Sequence, residues 1–278
     1  MEKNLNSSPA SQISLGDLTV HRIGLGTNRI TNTGAAHAVL RRAFEIGINF
    51  IDTADLYQKG QSEETIGNTF SPYPSGLVIA TKGGMSWSDG SGINDPKYLH
   101  DALDASLRRL KREHVDLYHL HRIEASVPIE QTARVLKEMQ DSGKVRHIGL
   151  SEVTVEQIEH FRKIVEVVSV QNQYNILERK YEAVLEYCEA NGIVFIPWCP
   201  IAKAKIENQL IKQIAEKHGA TPTQIAIAWL LRRSPVMLPI PGTLSVQHLE
   251  SNVTAANITL TKEEYQELNS ITSPQAAA

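Results

Sequence analysis

The feature that most restricts this chain is an alternation. Short apolar or β-branched runs are each followed by a turn and then by a stretch with apolar residues three and four apart. Strands are expected at 22–26, 49–53, 77–82, 115–121, 147–151, 167–171, 194–198 and 236–241. Helices are expected between them at 35–46, 62–70, 95–111, 129–142, 155–165, 181–190 and 221–232. Eight such units without a long Gly/Pro/Ser linker predict one parallel sheet wound into a barrel. The rival is a doubly wound open sheet, which usually carries a Gly-rich turn after its first strand. Here Gly24-Leu25-Gly26 lies within the strand, and a third glycine is missing. At 278 residues the chain has the length of one barrel.

The expected fold class is therefore α/β, a single (β/α)8 TIM barrel with an N-terminal β-hairpin and extra helices outside the barrel. The hairpin follows from the alternation of residues 13–21 about Gly16-Asp17. The extra helices are expected at 208–219 and 261–271. Residues 1–12 are polar and rich in Ser and Asn, and are expected to form a flexible tail with neither signal peptide nor anchor. Residues 13–278 are expected to form the one domain. A net charge of −3 leaves no broad basic face for nucleic acid. Two cysteines, Cys188 and Cys199, without paired ligand spacing fit a reducing, cytoplasmic compartment and no metal centre.

Chemistry concentrates where strands end. Asn49-Phe50-Ile51-Asp52-Thr53-Ala54-Asp55-Leu56-Tyr57 opens as a buried strand and breaks into polar residues. In a parallel barrel that edge is where active sites are built. Lys82 closes the third strand and His121 the fourth. A buried ammonium costs several kcal/mol unless paired, and Asp52 on the neighbouring strand is its natural partner. A phenol is a poor acid at neutral pH, and a nearby ammonium stabilises its anion, so Lys82 is expected to lower the pKa of Tyr57. Tyr57 could then protonate a carbonyl oxygen that His121 polarises. The bland reading is an ion pair with an incidental Tyr and His, which four residues on three adjacent strand ends disfavour. His119 is expected on the opposite strand face from His121, which weakens a metal-dependent hydrolase reading.

From 13 to 271 the sequence resembles the aldo-keto reductase superfamily, and among its subgroups the bacterial members that include pyridoxal reductases. The stretch from Gly47 to Tyr57 is similar to that family's first signature, and Asp52, Tyr57, Lys82 and His121 fall on its catalytic tetrad. The resemblance implies an extended NADP cofactor, NADPH being preferred and NAD possible. It implies hydride transfer to an aldehyde or ketone, or the reverse, with Tyr57 as general acid/base. Cofactor contacts are implied at Gly26, Thr27 and Asp52, at Ser151 and Gln171 for the carboxamide, and at Trp198, which would stack on the nicotinamide. Cys199, Pro200, Ile201 and Lys203 fall at the pyrophosphate, and Gly242, Thr243, Ser245, His248 and Asn252 at the adenosine end.

Four positions depart from the family pattern. Glu152 stands where an Asn is usual, and since a carboxylate cannot donate it is expected to accept from the carboxamide NH2. Gly242, His248 and Ser251 replace a frequent Lys, Arg and Glu. That leaves an imidazole near the start of an expected helix at 245–255 to meet the 2′-phosphate, and a preference for NADPH that falls as pH rises. Asn28, Arg29, Trp87 and Arg122, with residues 85–93, are expected to form the substrate wall. The expected partner is a small aldehyde, ketone or alcohol, with no nucleic acid and no membrane, and the chain a monomer or weak homo-oligomer. The alternative is a cofactor-sensing regulatory subunit with little turnover, to which the resemblance also extends.

Overall fold

The computed structural model describes residues 12–202 and 208–271. Most of the expected tail and Lys203 lie outside them. Gln12, the last residue of that tail, already pairs with His21. Strands β1 (Gln12–Leu15) and β2 (Leu18–His21) are antiparallel, and Gly16 between them takes a φ of 58°, the left-handed region such tight turns need.

Seven parallel strands succeed one another in chain order within one sheet: β3 (Leu25–Gly26), β4 (Phe50–Asp52), β5 (Val78–Gly83), β6 (Val115–Leu120), β7 (Val145–Ser151), β8 (Val167–Gln171) and β9 (Val194–Phe195). Parallel neighbours need crossovers, and helices α1 (Gly34–Glu45), α2 (Gln61–Phe70), α3 (Pro96–Leu110), α4 (Ile129–Asp141), α5 (Val155–Arg162) and α6 (Glu182–Asn191) supply them. Then come α7 (Gln209–Lys217), α8 (Pro222–Arg233), α9 (Val246–Thr254) and α10 (Lys262–Asn269). Helices α7 and α10, the surplus pair, pack on each other. Capping boxes open α5, α8 and α10, with Thr154, Thr221 and Thr261 each accepting from the third helical amide. No described helix is long and apolar enough to cross a membrane.

The expected eighth strand at 236–241 forms no ladder, only one parallel bridge between Phe195 and Met237. Its backbone nonetheless bonds to both edges of the sheet. Leu238 N–H donates to Phe195 O at 2.9 Å, and Gly24 N–H donates to Pro239 O at 2.9 Å. Pro239 and Pro241 have no N–H to donate, so a regular ladder cannot continue through them. The seven-stranded sheet and its helices fit an α/β barrel.

Side-chain alternation divides the sheet into two apolar layers. Phe50, Val78, Ala80, Leu117, Val168, Val194 and Ile196 share one cluster with Leu15 and Val20 of the hairpin. Their neighbours Ile51, Ile79, Tyr118, Ile148 and Val170 pack with the helices. The hairpin thus meets Phe50 and Val78, the first residues of β4 and β5, while the last residues of those strands stay available for polar side chains.

Candidate active site

Asp52 ends β4, Lys82 is the penultimate residue of β5, and His121 follows β6. Asp52 and Lys82 are fully buried. The Lys82 ammonium donates to Asp52 Oδ2 at 2.7 Å, Thr53 O at 2.8 Å and Tyr57 Oη at 3.2 Å. Its three hydrogens are thereby all placed. Asp52 Oδ1 accepts from Gln171 Nε2 at 2.8 Å, a contact from the far strand β8. Burial is the largest single influence and works against the Lys82 charge, but Asp52 and Tyr57 together outweigh it and hold the pKa above the usual lysine range.

Tyr57 is brought there by a backbone device. Gln58, Lys59 and Gly60 take φ values of 50°, 57° and 83°, a left-handed run that turns the chain from β4 into α2. Two of the three are not glycine, and each such residue stores roughly 1 kcal/mol or more of strain. The Tyr57 ring is half-buried, with Lys82 Nζ 4.7 Å from its centroid and the His121 ring edge-on at 6.1 Å.

The expected lowering of the phenol pKa is not the net result. Burial pushes the Tyr57 phenol up, Lys82 pulls it back, and it stays above the ordinary range. His121 moves the other way. Burial, then Lys82, Arg122 and His119, hold its imidazole well below the ordinary range, so the ring is neutral and carries one N–H. Its Nδ1 has no partner among the described residues.

His119 is not on the opposite face. Two residues apart on a strand, it shares the interior side with His121, and it is fully buried with Nε2 3.0 Å from Ser169 Oγ.

A cavity of about 1070 Å3 opens over this group. Of the expected cofactor and substrate residues, Gly26, Thr27, Asn28, Arg29, Asp52, Arg122, Ser151, Gln171, Trp198, Cys199, Pro200 and Ile201 line it, as do Gly242, Thr243, Ser245, His248 and Asn252. His248, Ser251 and Asn252 come from one face of α9, being three and four residues apart. Its first turn, capped by Ser245, presents backbone amides beside them, a ready site for an anion. Thr221 and Thr223 at the start of α8, with Leu56, also line the wall and were not expected to. A cavity of this volume, lined by polar side chains and an indole, has room for a dinucleotide.

Two expected contacts lie elsewhere. Glu152 does not line the cavity, because its carboxylate is already taken. It accepts from Trp198 Nε1 at 2.6 Å and Gln173 N–H at 2.7 Å on Oε1, and from Tyr181 Oη at 2.9 Å on Oε2. A φ of 56° at Glu152 turns the side chain to these donors, so its carboxylate is engaged away from the cavity and does not face a carboxamide there. Trp87 is 50% exposed and borders a separate recess of about 240 Å3 with Asp55, Tyr98 and Arg109. A Met85–Gly92 bridge closes its loop into a small hairpin that turns the indole toward α3.

The fold is that of the α/β barrel oxidoreductases, with a long cleft over the strand ends. The Aldo/keto reductase family profile matches residues 22–273, and the chain belongs to that family. It is 42% identical over 282 residues to an uncharacterised oxidoreductase of Schizosaccharomyces pombe, covering 95% of this chain and 91% of the other. It is 36% identical over 281 residues to a pyridoxine 4-dehydrogenase of Escherichia coli, covering 94% of this chain and 98% of that one. An aldo-keto reductase from Klebsiella pneumoniae, solved in complex with NADPH, matches with a TM-score of 0.84 at 27% identity, covering 93% of this chain and 94% of that chain.

Proposed function

We propose that this oxidoreductase moves a hydride between NADP(H) and the carbonyl or alcohol carbon of an aldehyde or ketone, with Tyr57 as general acid in reduction and general base in oxidation. The observation that carries the reading is the Tyr57 hydroxyl 3.2 Å from a buried ammonium, with the Tyr57 ring edge-on to a neutral imidazole at the cavity wall. A bound reduced nicotinamide would supply the hydride. NADP(H) is favoured by the NADP and NADPH complexes of the Klebsiella relatives.

In reduction the carbonyl carbon gains the hydride and its oxygen gains the Tyr57 proton. Because the phenol stays above its ordinary pKa, Tyr57 holds that proton throughout the neutral range. Lys82 stabilises the phenolate left behind, and water restores the proton. The single N–H of neutral His121 polarises the carbonyl without competing as an acid.

Ser151 and Gln171, whose Oε1 is unused by Asp52, would hold the carboxamide, and Trp198 would stack on the ring. The α9 N-terminus with Ser245, His248 and Asn252 would take the adenosine phosphate, and Lys203 the pyrophosphate. The segment 236–241 would complete the barrel wall. His248→Ala should move the ratio of dissociation constants toward NADH.

The test is NADPH oxidation with a panel of aldehydes and ketones, matched by an equal amount of alcohol. Pyridoxal belongs in it because of the similar pyridoxine 4-dehydrogenase. Tight NADPH binding without oxidation by any carbonyl would favour the cofactor-sensing subunit instead.

A further inference from the structure

The hydride and proton transfers above give no role to Arg122. It follows His121 at the end of β6, is half-buried, and lines the cavity beside Tyr57, His121 and Met85. Its Nη1 donates to His121 O at 2.6 Å and to Ser151 Oγ at 3.2 Å. Those two bonds fix the plane of the guanidinium. The opposite edge, Nε and Nη2, has no partner among the described residues, and neither atom is sealed from solvent.

Three carboxylates around the site, all among the described residues, are committed elsewhere. Asp52 is bonded to Lys82 and Gln171. Glu124, two residues along, accepts from Asn94 N–H and Ser126 Oγ. Glu152 is occupied by Trp198, Gln173 and Tyr181. Among the described residues, a cation thus stands at the reacting end of the cavity with no counter-ion. A half-desolvated charge is costly without one. The unused edge carries two parallel N–H groups, a fork that matches two oxygens of one anion. Cofactor phosphates are the wrong occupant. Their helix terminus, with Ser245 and His248, lies on the α9 wall, whereas Arg122 sits with Tyr57 and His121.

We infer that Arg122 anchors an anionic group on the substrate. The preferred substrates are then aldehydes or ketones that also carry a carboxylate or a phosphate monoester, held by the Nε–Nη2 edge while the carbonyl lies against Tyr57 and His121. This rests on the hydride-transfer reading for the carbonyl, but not for the anion.

The experiment compares kcat/KM within matched pairs, 4-carboxybenzaldehyde against benzaldehyde and pyridoxal 5′-phosphate against pyridoxal, in buffer free of competing anions. The two pairs separate carboxylate from phosphate. The wild-type ratio should exceed ~10 for at least one pair, and Arg122→Met should reduce that ratio roughly 30-fold. Arg122→Lys should fall between, since an ammonium keeps the charge and loses the fork. The wild-type ratio should also shrink as salt is added, a readout that needs no variant to fold. Wild-type ratios near one for both pairs would overturn the inference, as would a ratio unmoved in an Arg122→Met protein that still binds NADPH. If no aldehyde is turned over, the redox reading fails separately. Calorimetric binding of 4-(hydroxymethyl)benzoate against benzyl alcohol then decides the anion site, equal affinities counting against it.

Discussion

Lys82 and Asp55 show how two neighbouring strand ends can hold buried ionisable groups in opposite conditions. The Lys82 ammonium has every hydrogen bonded. Lys82→Met would strip Tyr57 of its nearest cation and leave Asp52 without its counter-charge, so the phenol should rise further. The alkaline limb of alcohol oxidation should then move to higher pH. A lower Tm with unchanged pH profiles would reduce Lys82 to a structural role. Asp55 has no such partner among the described residues. Burial, and then the Glu63 carboxylate, push its pKa from 3.8 up to about 7, and its Oδ1 is unpaired. Between those values the folded protein holds a proton that the unfolded chain has released, so stability falls as pH rises across that window, by roughly 4 kcal/mol at most. Asp55→Asn removes the titration. Its Tm relative to wild type should therefore climb from pH 5 to pH 8, and a constant difference would contradict this.

At the scale of elements, the ends of β4, β5 and β6 were legible in the sequence because apolar runs there stop on polar side chains. The turn leading out of β4 was not. Gln58 and Lys59 are left-handed without being glycine, and nothing in residue type announces that. The role of Glu152 was hidden for a related reason. Its partners Tyr181 and Trp198 are 29 and 46 residues away, so only the tertiary structure brings the three together. The consequence is that Glu152 clamps the indole that flanks the cavity. Glu152→Ala would leave the Trp198 indole and the Gln173 amide unpaired, at roughly 1–3 kcal/mol each where they remain buried. Tm should fall and the NADPH dissociation constant should rise several-fold, whereas Glu152→Gln, still able to accept from both, should change little. An alanine variant with wild-type Tm and affinity would dispose of the clamp.

Across the whole molecule, the eightfold alternation was enough to propose a barrel, because each run is too short to bury itself except against its neighbours. Pattern could not foresee that the eighth run would join the wall through single hydrogen bonds instead of a ladder, although Pro239 and Pro241 already stood in it. Nor could it connect the threonines of α8 to the cavity, a contact made only once helices surround the sheet. The central claim is that this assembly delivers one proton from Tyr57 to the oxygen of a carbonyl receiving a hydride. Its most direct test is single-turnover NADPH oxidation at saturating aldehyde by wild type and Tyr57→Phe, with the NADPH dissociation constant measured for both. The rate should be lower by ~10²-fold or more with cofactor affinity nearly unchanged; a Tyr57→Phe enzyme that turns over close to the wild-type rate would contradict the claim.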